Sequence, residues 1–415
     1  MFIVGLFLIT QQLDDPYRVI ESVEAMFDLR TVIRPNILTL EPYRCARDDF
    51  KEGILLDANE NTHGPSLNEQ TEDERDLELN RYPDPHQIEL KTQIVDYRNS
   101  NLNENFQGDL ITAKNLCLGV GSDESIDMLM RCVCTPSQDK MITCPPTYGM
   151  YSVCATVNDI KIETVPLLTP DFQIDIDGLI TKIKGDSKFK LIYLTSPGNP
   201  TAKLLKVDDI ISLLNQAQIC WNGLIVVDEA YIDFTDPKQS MCTLVNQFPN
   251  LVVLQTLSKA FGLAGIRLGV SYSSIELSHY LNSMKYPYSI SSLTSNVALR
   301  ATNKQGLAQM QKSRQSIIEQ RKYLLTNLQK LPGIGENIGG LDSNFLLIQI
   351  LNKNNQPCND TAFKLYTKLA TENQVVVRFR GKELNCTGAL RISVGTPSEN
   401  QILIEKFQKC LNEIQ

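Results

Sequence analysis

The sequence predicts an α/β protein: a large domain with a mostly parallel, seven-stranded sheet flanked by helices, and a smaller α+β domain. From about residue 110 to 275, short apolar runs alternate with helical patterns, which is typical of βαβ units. Most of these runs are continuously apolar, as expected for strands buried on both faces of a parallel sheet. After about residue 300 the pattern changes, which indicates the second domain.

Seven segments are predicted as strands of the large sheet. They are LCLGV (116–120), KMITC (140–144), IKIETVP (160–166), KLIYLT (190–195), GLIVVD (223–228), LVVLQT (251–256) and RLGVSY (267–272). The segment DDIISLLNQAQI (208–219) is predicted as a helix between two of them.

The smaller domain is predicted from a long helix and the strands that follow it. An apolar stripe at helical spacing runs from Leu307 to Leu331, and Pro332 with Gly333 ends it. A last helix should begin at Thr396, because a proline follows this cap residue and a glutamate lies three positions after it. Strands are predicted at NFLLIQI (344–350), QVVVRF (374–379) and ALRISVG (389–395).

These patterns divide the chain into four parts. We expect residues 66–305 to form the large domain, residues 306–415 the small domain, and residues 26–65 a segment that joins the small domain. Residues 1–25 are expected to be a disordered or non-native extension, because their apolar run is too short for a membrane span and lacks the features of a signal peptide.

Composition excludes several classes of protein. A net charge of -8 without a basic run argues against nucleic-acid binding. Eleven cysteines without a Cys-x-x-Cys pair indicate reduced thiols in a cytoplasmic protein, and three dispersed histidines argue against a metal site.

Candidate site residues follow the predicted strands, because ligands of open parallel sheets bind beyond the carboxyl ends of the strands. Asp228 ends an apolar strand, where a carboxylate needs a cationic partner. It could pair with a protonated ring nitrogen, or alternatively cap a helix or bind a metal.

Lys259 follows the next strand, where poor hydration would favour a neutral, nucleophilic amine. Taken alone, it could equally be a surface lysine. Arg267 then supplies a fixed cation suited to a phosphate.

Further candidates lie on turns after other strands. Gly121, Ser122 and Asp123 open a helix, whose free N–H groups could bind a phosphate. Asn199 lies in the rigid SPGNPT turn, and Tyr148 could stack on a planar ligand or simply pack in its loop. Together these groups suit pyridoxal phosphate, a planar phosphorylated aldehyde with a ring nitrogen.

The same segments carry a family resemblance that covers about residues 26–415. The motifs PPTYGMY, SPGNPT, VVDEAYIDF and TLSKAFGLAGIRLG resemble those of the fold-type I pyridoxal-phosphate aminotransferases. Further motifs resemble the histidinol-phosphate aminotransferase family in particular: LEPYRCARDDF (40–50), LLDANENTHGP (55–65), RYPDP (81–85), VGSDE (120–124), VVVRF (375–379) and LRISVGT (390–396).

The resemblance implies a role for each matching residue. Lys259 would form the covalent link to the cofactor and then move the reaction proton, while Asp228 would keep the ring nitrogen protonated. Other cofactor contacts would come from Asn199 and Tyr231 at the phenolate oxygen, Tyr148 on the ring, and Gly121, Ser122, Asp123, Ser258 and Arg267 at the phosphate. Tyr82 would reach that phosphate from a partner subunit, which implies a homodimer.

The resemblance also implies the substrates. They would be histidinol phosphate and 2-oxoglutarate, converted to imidazole-acetol phosphate and glutamate by ping-pong transamination in histidine biosynthesis. Arg378 and Arg391 would share one anion site for phosphate and carboxylate, because a bidentate arginine suits either group. Tyr43, Asn61 and Asn199 would line the substrate end.

Two alternatives remain at this point. An aromatic aminotransferase or a threonine-phosphate decarboxylase would share much of the same motif set. A non-catalytic regulator that senses pyridoxal phosphate is disfavoured, because about 25 residues are too few for a DNA-binding domain and the net charge is negative.

Overall fold

The structure is a computed structural model that describes residues 26–49 and 52–414. The predicted extension at residues 1–25 lies outside the described residues. No helix in the described ranges is long and apolar enough to cross a membrane.

The large domain contains the predicted seven-stranded sheet. Its strands are β1 (Leu116–Val120), β2 (Lys140–Thr143), β3 (Lys161–Thr164), β4 (Phe189–Thr195), β5 (Leu224–Asp228), β6 (Leu251–Thr256) and β7 (Leu268–Tyr272). Their spatial order is β1-β7-β6-β5-β4-β2-β3. Only β7 in this sheet runs antiparallel to its neighbours β1 and β6, so the mostly parallel sheet is confirmed.

Helices cover both faces of this sheet and build the rest of the fold. They are α1 (Leu29–Val32), α2 (Glu72–Asp76), α3 (Ile88–Asn99), α4 (Gly121–Val133), α5 (Met150–Val157), α6 (Ile176–Gly185), α7 (Val207–Gln218), α8 (Ile275–Met284), α9 (Ser292–Thr302), α10 (Lys304–Leu328), α11 (Asn359–Asn373) and α12 (Pro397–Ile414). Central strands β5, β6 and β7 are buried along their whole length, and two large apolar clusters lie on opposite faces of the sheet. This double burial explains why their sequences are mostly apolar.

The small domain packs α10, α11 and α12 around a four-stranded antiparallel sheet. Its strands are β8 (Ile334–Asn337), β9 (Phe345–Ile350), β10 (Arg378–Phe379) and β11 (Ala389–Ser393), in the order β10-β11-β9-β8. The predicted domain boundary near residue 305 falls at the start of α10 and stays a proposal.

One predicted strand of the small domain is much shorter than expected. The segment 374–379 forms a strand only at Arg378–Phe379. Gln374 takes a left-handed conformation (φ 57°) at the end of α11, and the Val375 N–H bonds back to the Leu369 carbonyl at 3.0 Å. Val377 is buried in the small-domain core, so its apolar character reflects burial rather than strand pairing.

The beginning of segment 26–65 packs on the large domain, and the association of the whole segment with the small domain stays a prediction. Leu29, Val32, Ile33 and Ile37 form one apolar face and are buried in the cluster that contains α4 and α8. The Arg34 guanidinium also donates a hydrogen bond to the carbonyl oxygen at the end of α4 (2.9 Å). Only Leu29 and Val32 lie in α1, so Ile33 and Ile37 reach the same cluster from the segment that follows this short helix.

Candidate active site

A cavity of about 430 Å³ lies where the predicted site residues meet. Thr195, Asp228 and Thr256 are the last residues of β4, β5 and β6, and all three line it. The other lining residues are Ser122, Asp123, Tyr148, Asn199, Ala230, Tyr231, Ser258, Lys259, Ala264, Arg267, Arg378, Arg380 and Arg391. The cavity therefore occupies the carboxyl edge of the parallel strands, the edge at which sheets of this kind bind ligands.

Asp228 is buried at the end of β5 with two hydrogen-bond donors. The Tyr151 hydroxyl donates to one carboxylate oxygen at 2.7 Å, and the Ala230 N–H donates to the other at 3.1 Å. Burial raises the pKa of Asp228 to about 6, because desolvation outweighs these hydrogen bonds. A cationic ligand group beside Asp228 would offset this penalty.

Tyr151 was not among the predicted site residues. Its hydroxyl lies 2.9 Å from the Thr195 hydroxyl as well as against Asp228, so it holds the carboxylate in place. Tyr148 lies just before α5 and Tyr151 in its first turn, and their rings pack edge to face with centroids 5.7 Å apart. The second tyrosine of the PPTYGMY motif is the signal that could have drawn attention to this position.

Lys259 follows β6 and lies partly buried in the cavity. Burial lowers its pKa, and the nearby positive charge of Arg391 lowers it further. The amine lies 5.4 Å from the centre of the Tyr231 ring. The environment therefore favours the neutral, nucleophilic form of this lysine.

Gly121 contacts the cavity-lining residue Arg267 closely. Gly121 has a φ of 77°, and its N–H donates to the Arg267 carbonyl oxygen at 3.0 Å. A Cβ atom at Gly121 would lie 2.3 Å from the Arg267 guanidinium. This close approach brings Arg267 beside the first turn of α4, which begins at Gly121 and presents free N–H groups to an anion.

The carboxylate of Asp123 contacts the Tyr148 hydroxyl and the Arg267 guanidinium rather than the free N–H groups of α4. It accepts from the Tyr148 hydroxyl at 3.1 Å and lies 3.4 Å from the Arg267 guanidinium. Nearby, the Ser258 hydroxyl lies 2.9 Å from the Thr256 hydroxyl. The arrangement offers N–H groups, a hydroxyl and a guanidinium to one phosphate-sized anion.

We expect Gly121→Ala to weaken cofactor binding at least about tenfold, because the left-handed conformation costs about 1–2 kcal/mol for an alanine and the new methyl group displaces Arg267. Absorbance titration of the cofactor-free protein with pyridoxal phosphate measures the dissociation constant. Gly185→Ala is the control, since a Cβ atom there meets nothing within 4 Å. Equal affinities for the two variants would contradict the expectation.

Asn199 joins the large domain to the small one. Its side-chain oxygen accepts a hydrogen bond from Arg391 at 2.6 Å. Arg391 lies on β11 directly opposite Arg378 on β10. Burial lowers the pKa of Arg391, and the charges of Arg380 and Arg378 lower it further, so this end of the cavity is strongly cationic.

Arg380 was missed because it follows β10, a strand of only two residues, and the predicted strand ended at Phe379. It lines the cavity and lies two positions after Arg378, on the same side of the extended chain. The spacing of the two arginines in RFR (378–380) is the signal that could have revealed it, because residues two apart in a strand share a face.

Gly121 contacts the lining residue Arg267 without lining the cavity itself, and three other predicted site residues are not brought into this cavity within one chain. Tyr43 and Tyr82 are about half exposed and both pack on Tyr288, edge to face at 5.7 Å and stacked at 4.5 Å. Asn61 is exposed, and its backbone oxygen accepts from the Asn80 side chain at 3.0 Å. Their roles remain predictions.

Glu60 connects the segments that carry these three residues. Its buried carboxylate accepts from the Tyr82 N–H at 2.7 Å and from Arg81 at 2.8 Å, and it also pairs with Arg47. These cationic partners and hydrogen bonds lower the pKa of Glu60 to about 2, led by the bond from Arg47. The charged cluster therefore fixes Tyr82 relative to the segment around Tyr43.

Neither metal binding nor disulfide bonding is supported elsewhere in the described part of the chain. Residues 26–49 and 52–414 contain no group of three or more histidine, cysteine, aspartate or glutamate side chains that could hold a metal ion. All eleven cysteines lie within these ranges and are free.

Solved structures share this fold. Histidinol-phosphate aminotransferase from Sinorhizobium meliloti, in complex with pyridoxal-5'-phosphate, superposes with a TM-score of 0.70 at 18% identity, covering 86% of this chain and 90% of the other. L-threonine-O-3-phosphate decarboxylase from Porphyromonas gingivalis superposes with a TM-score of 0.62 at 18% identity, covering 82% and 93%. These neighbours confirm the predicted fold class, and at this identity they show the fold alone.

Sequence comparison is more specific. Residues 51–407 match the family described as aminotransferase class I and II. The chain is 65% identical to histidinol-phosphate aminotransferase of Candida maltosa, over 94% of this chain and all of the relative, and 51% identical to that of Saccharomyces cerevisiae, over 94% and 99%. This chain therefore belongs to the class I and II aminotransferases and, within them, to the histidinol-phosphate aminotransferase family.

Proposed function

We propose that the cavity binds pyridoxal phosphate and catalyses transamination between L-histidinol phosphate and 2-oxoglutarate, a step of histidine biosynthesis. The observation that carries the proposal is the meeting of Asp228, Lys259 and Arg391 in one cavity. The names of relatives up to 65% identical support the choice of substrate.

The residues present fit this cofactor. Buried Asp228 suits a protonated ring nitrogen, and the closely packed Gly121–Arg267 wall beside Ser258 suits a phosphate. When bound, pyridoxal phosphate supplies an electron sink for a carbanion at the substrate Cα. Lys259 lies in the same cavity, with a lowered pKa that suits both a covalent link and proton transfer.

We propose that the remaining predicted residues orient the cofactor and substrate. Tyr148 would pack on the cofactor ring, and Tyr231 with Asn199 would hydrogen-bond its phenolate oxygen. Asn199 also accepts from Arg391, so cofactor orientation and the anion site are joined through one amide. Asn61 and Tyr43 would lie at the substrate end.

The direct test is a substrate panel with the purified holoenzyme. Imidazole-acetol phosphate with glutamate should be the efficient substrate pair. The rate is measured as the formation of 2-oxoglutarate. Turnover of phenylpyruvate without turnover of imidazole-acetol phosphate would instead support an aromatic aminotransferase. Release of carbon dioxide from threonine phosphate would support a decarboxylase.

Arg391→Gln should weaken binding of both histidinol phosphate and glutamate, because both would place an anion against the same guanidinium. Loss of a desolvated charge pair costs about 2–5 kcal/mol, which corresponds to a rise in KM of more than tenfold. Steady-state kinetics with each substrate measures it, with exposed Arg300→Gln as the control. An effect on glutamate alone would show that the anion site is not shared.

We also propose a homodimer in which Tyr82 contacts the cofactor phosphate of the partner subunit. Its exposure and its stacking on Tyr288 support this arrangement, since the ring lies outside the cavity of its own chain.

Mixing inactive Tyr82→Ala and Lys259→Ala proteins tests this arrangement. Subunit exchange should restore up to about a quarter of wild-type activity, because each two-fold symmetric heterodimer regains one intact site. No recovery, with heterodimers confirmed by mass, would place Tyr82 outside the partner's site.

A further inference from the structure

Arg380 places a third guanidinium at the anion end of the cavity, beside Arg378 and Arg391. Its backbone N–H donates to the Ala389 carbonyl oxygen at 2.8 Å, which extends the pairing of β10 with β11 by one residue. The side chain is 22% exposed and lines the cavity. Arg380 is therefore held by the small-domain sheet, and its position does not depend on a flexible loop.

The guanidinium of Arg380 is only partly satisfied. Its Nη1 lies 3.3 Å from the Glu383 carboxylate, a long contact to a side chain that is itself 35% exposed. Its Nε is buried and makes no hydrogen bond to any residue of the described ranges. A buried, unpaired N–H group is costly, so a ligand acceptor at this position would be stabilising.

Three neighbouring cations favour an anion with more than one negative charge. Arg380 and Arg391 line the same cavity, and the positive charge of Arg380 lowers the pKa of Arg391. A carboxylate carries one charge and two oxygens, and paired Arg378 and Arg391 can satisfy it. A phosphate monoester carries about −1.5 to −2 charges at neutral pH and three acceptor oxygens, which leaves an oxygen for a third arginine.

We propose that Arg380 is a specificity-determining residue that binds the phosphate group of the amino donor and contributes little to binding of glutamate. The inference rests on the proposed function and deepens it: Arg378 and Arg391 serve both substrates, whereas Arg380 distinguishes a phosphate monoester from a carboxylate. Glu383 holds Arg380 between turnovers and competes with the phosphate for it.

Arg380→Gln tests the proposal through the two half-reactions measured separately with the holoenzyme. We expect the apparent dissociation constant for histidinol phosphate to rise at least about tenfold, the effect of losing one charge-assisted hydrogen bond, and that for glutamate to change less than about threefold. Lys382→Gln is the matched control, because it removes the same charge from a neighbouring exposed side chain. Equal losses for both substrates, or no loss for histidinol phosphate, would overturn the proposal.

Inorganic phosphate provides a readout that does not require turnover of histidinol phosphate. Titration calorimetry of the holoenzyme should show weaker phosphate binding in Arg380→Gln and tighter binding in Glu383→Gln, with Lys382→Gln unchanged. If the wild-type enzyme fails to use histidinol phosphate but the phosphate affinities change in this way, the proposed function is wrong and the phosphate role of Arg380 stands. An unchanged phosphate affinity in Arg380→Gln would overturn that role. If the glutamine variant does not fold, Arg380→Lys repeats the test.

Discussion

Replacing Lys259 by alanine is expected to abolish transamination. The lysine lies partly buried three residues after the end of β6, where desolvation and the charge of Arg391 lower its pKa. General acid–base catalysis by a positioned side chain contributes roughly 10²–10⁴-fold, and loss of the covalent link removes a further contribution. We therefore expect kcat to fall by at least about 10⁴-fold.

A covalent readout separates this role from a general loss of structure. Borohydride reduction followed by denaturation should leave the cofactor absorbance on wild-type protein and none on Lys259→Ala. Lys322→Ala, which removes an exposed lysine from α10, should retain it. Retention of cofactor by Lys259→Ala after denaturation would assign the covalent link to another lysine.

Much of the sheet could be predicted because strands that are buried on both faces consist mainly of apolar residues. The runs that form β4, β5 and β6 are mostly apolar, and each ends at a residue that lines the site. Asp228 was predictable for the same reason, because a charged residue at the end of a buried strand has little water around it, whereas Lys259 needed the neighbouring motifs. The connection between strand order and site geometry then follows from the parallel arrangement.

Other features depend on contacts that periodicity does not encode. Leu29 and Ile33 are four residues apart, but this spacing does not predict which surface they pack against. The structure places them on the large domain. Tyr151 is assigned only once its hydroxyl is seen against Asp228. Arg380 extends a strand too short to give a pattern, and its proximity to Arg391 results from pairing with a strand further along the chain.

Replacing Asp228 by asparagine should strongly reduce turnover while preserving most of the local packing. The amide oxygen can still accept from the Ala230 N–H, but the amide cannot stabilise a cationic ring nitrogen. The Tyr151 hydroxyl, which donates to the carboxylate at 2.7 Å, would have to accept from the new amide instead. Loss of one partner of a buried pair costs about 3–5 kcal/mol, so we expect kcat/KM to fall roughly 10²–10³-fold.

The pH dependence of cofactor binding gives Asp228 a signature of its own. Without cofactor, burial holds the pKa of Asp228 at about 6. A cationic ring nitrogen would lower that pKa in the complex, so binding below pH 6 must release a proton, and affinity should fall as pH drops through this range. Asp228→Asn should lack this component. Because the cofactor phosphate also titrates near pH 6, the comparison is the difference between the two proteins in absorbance titrations from about pH 5 to 8. Parallel profiles for wild type and variant would show that Asp228 does not face the cationic nitrogen.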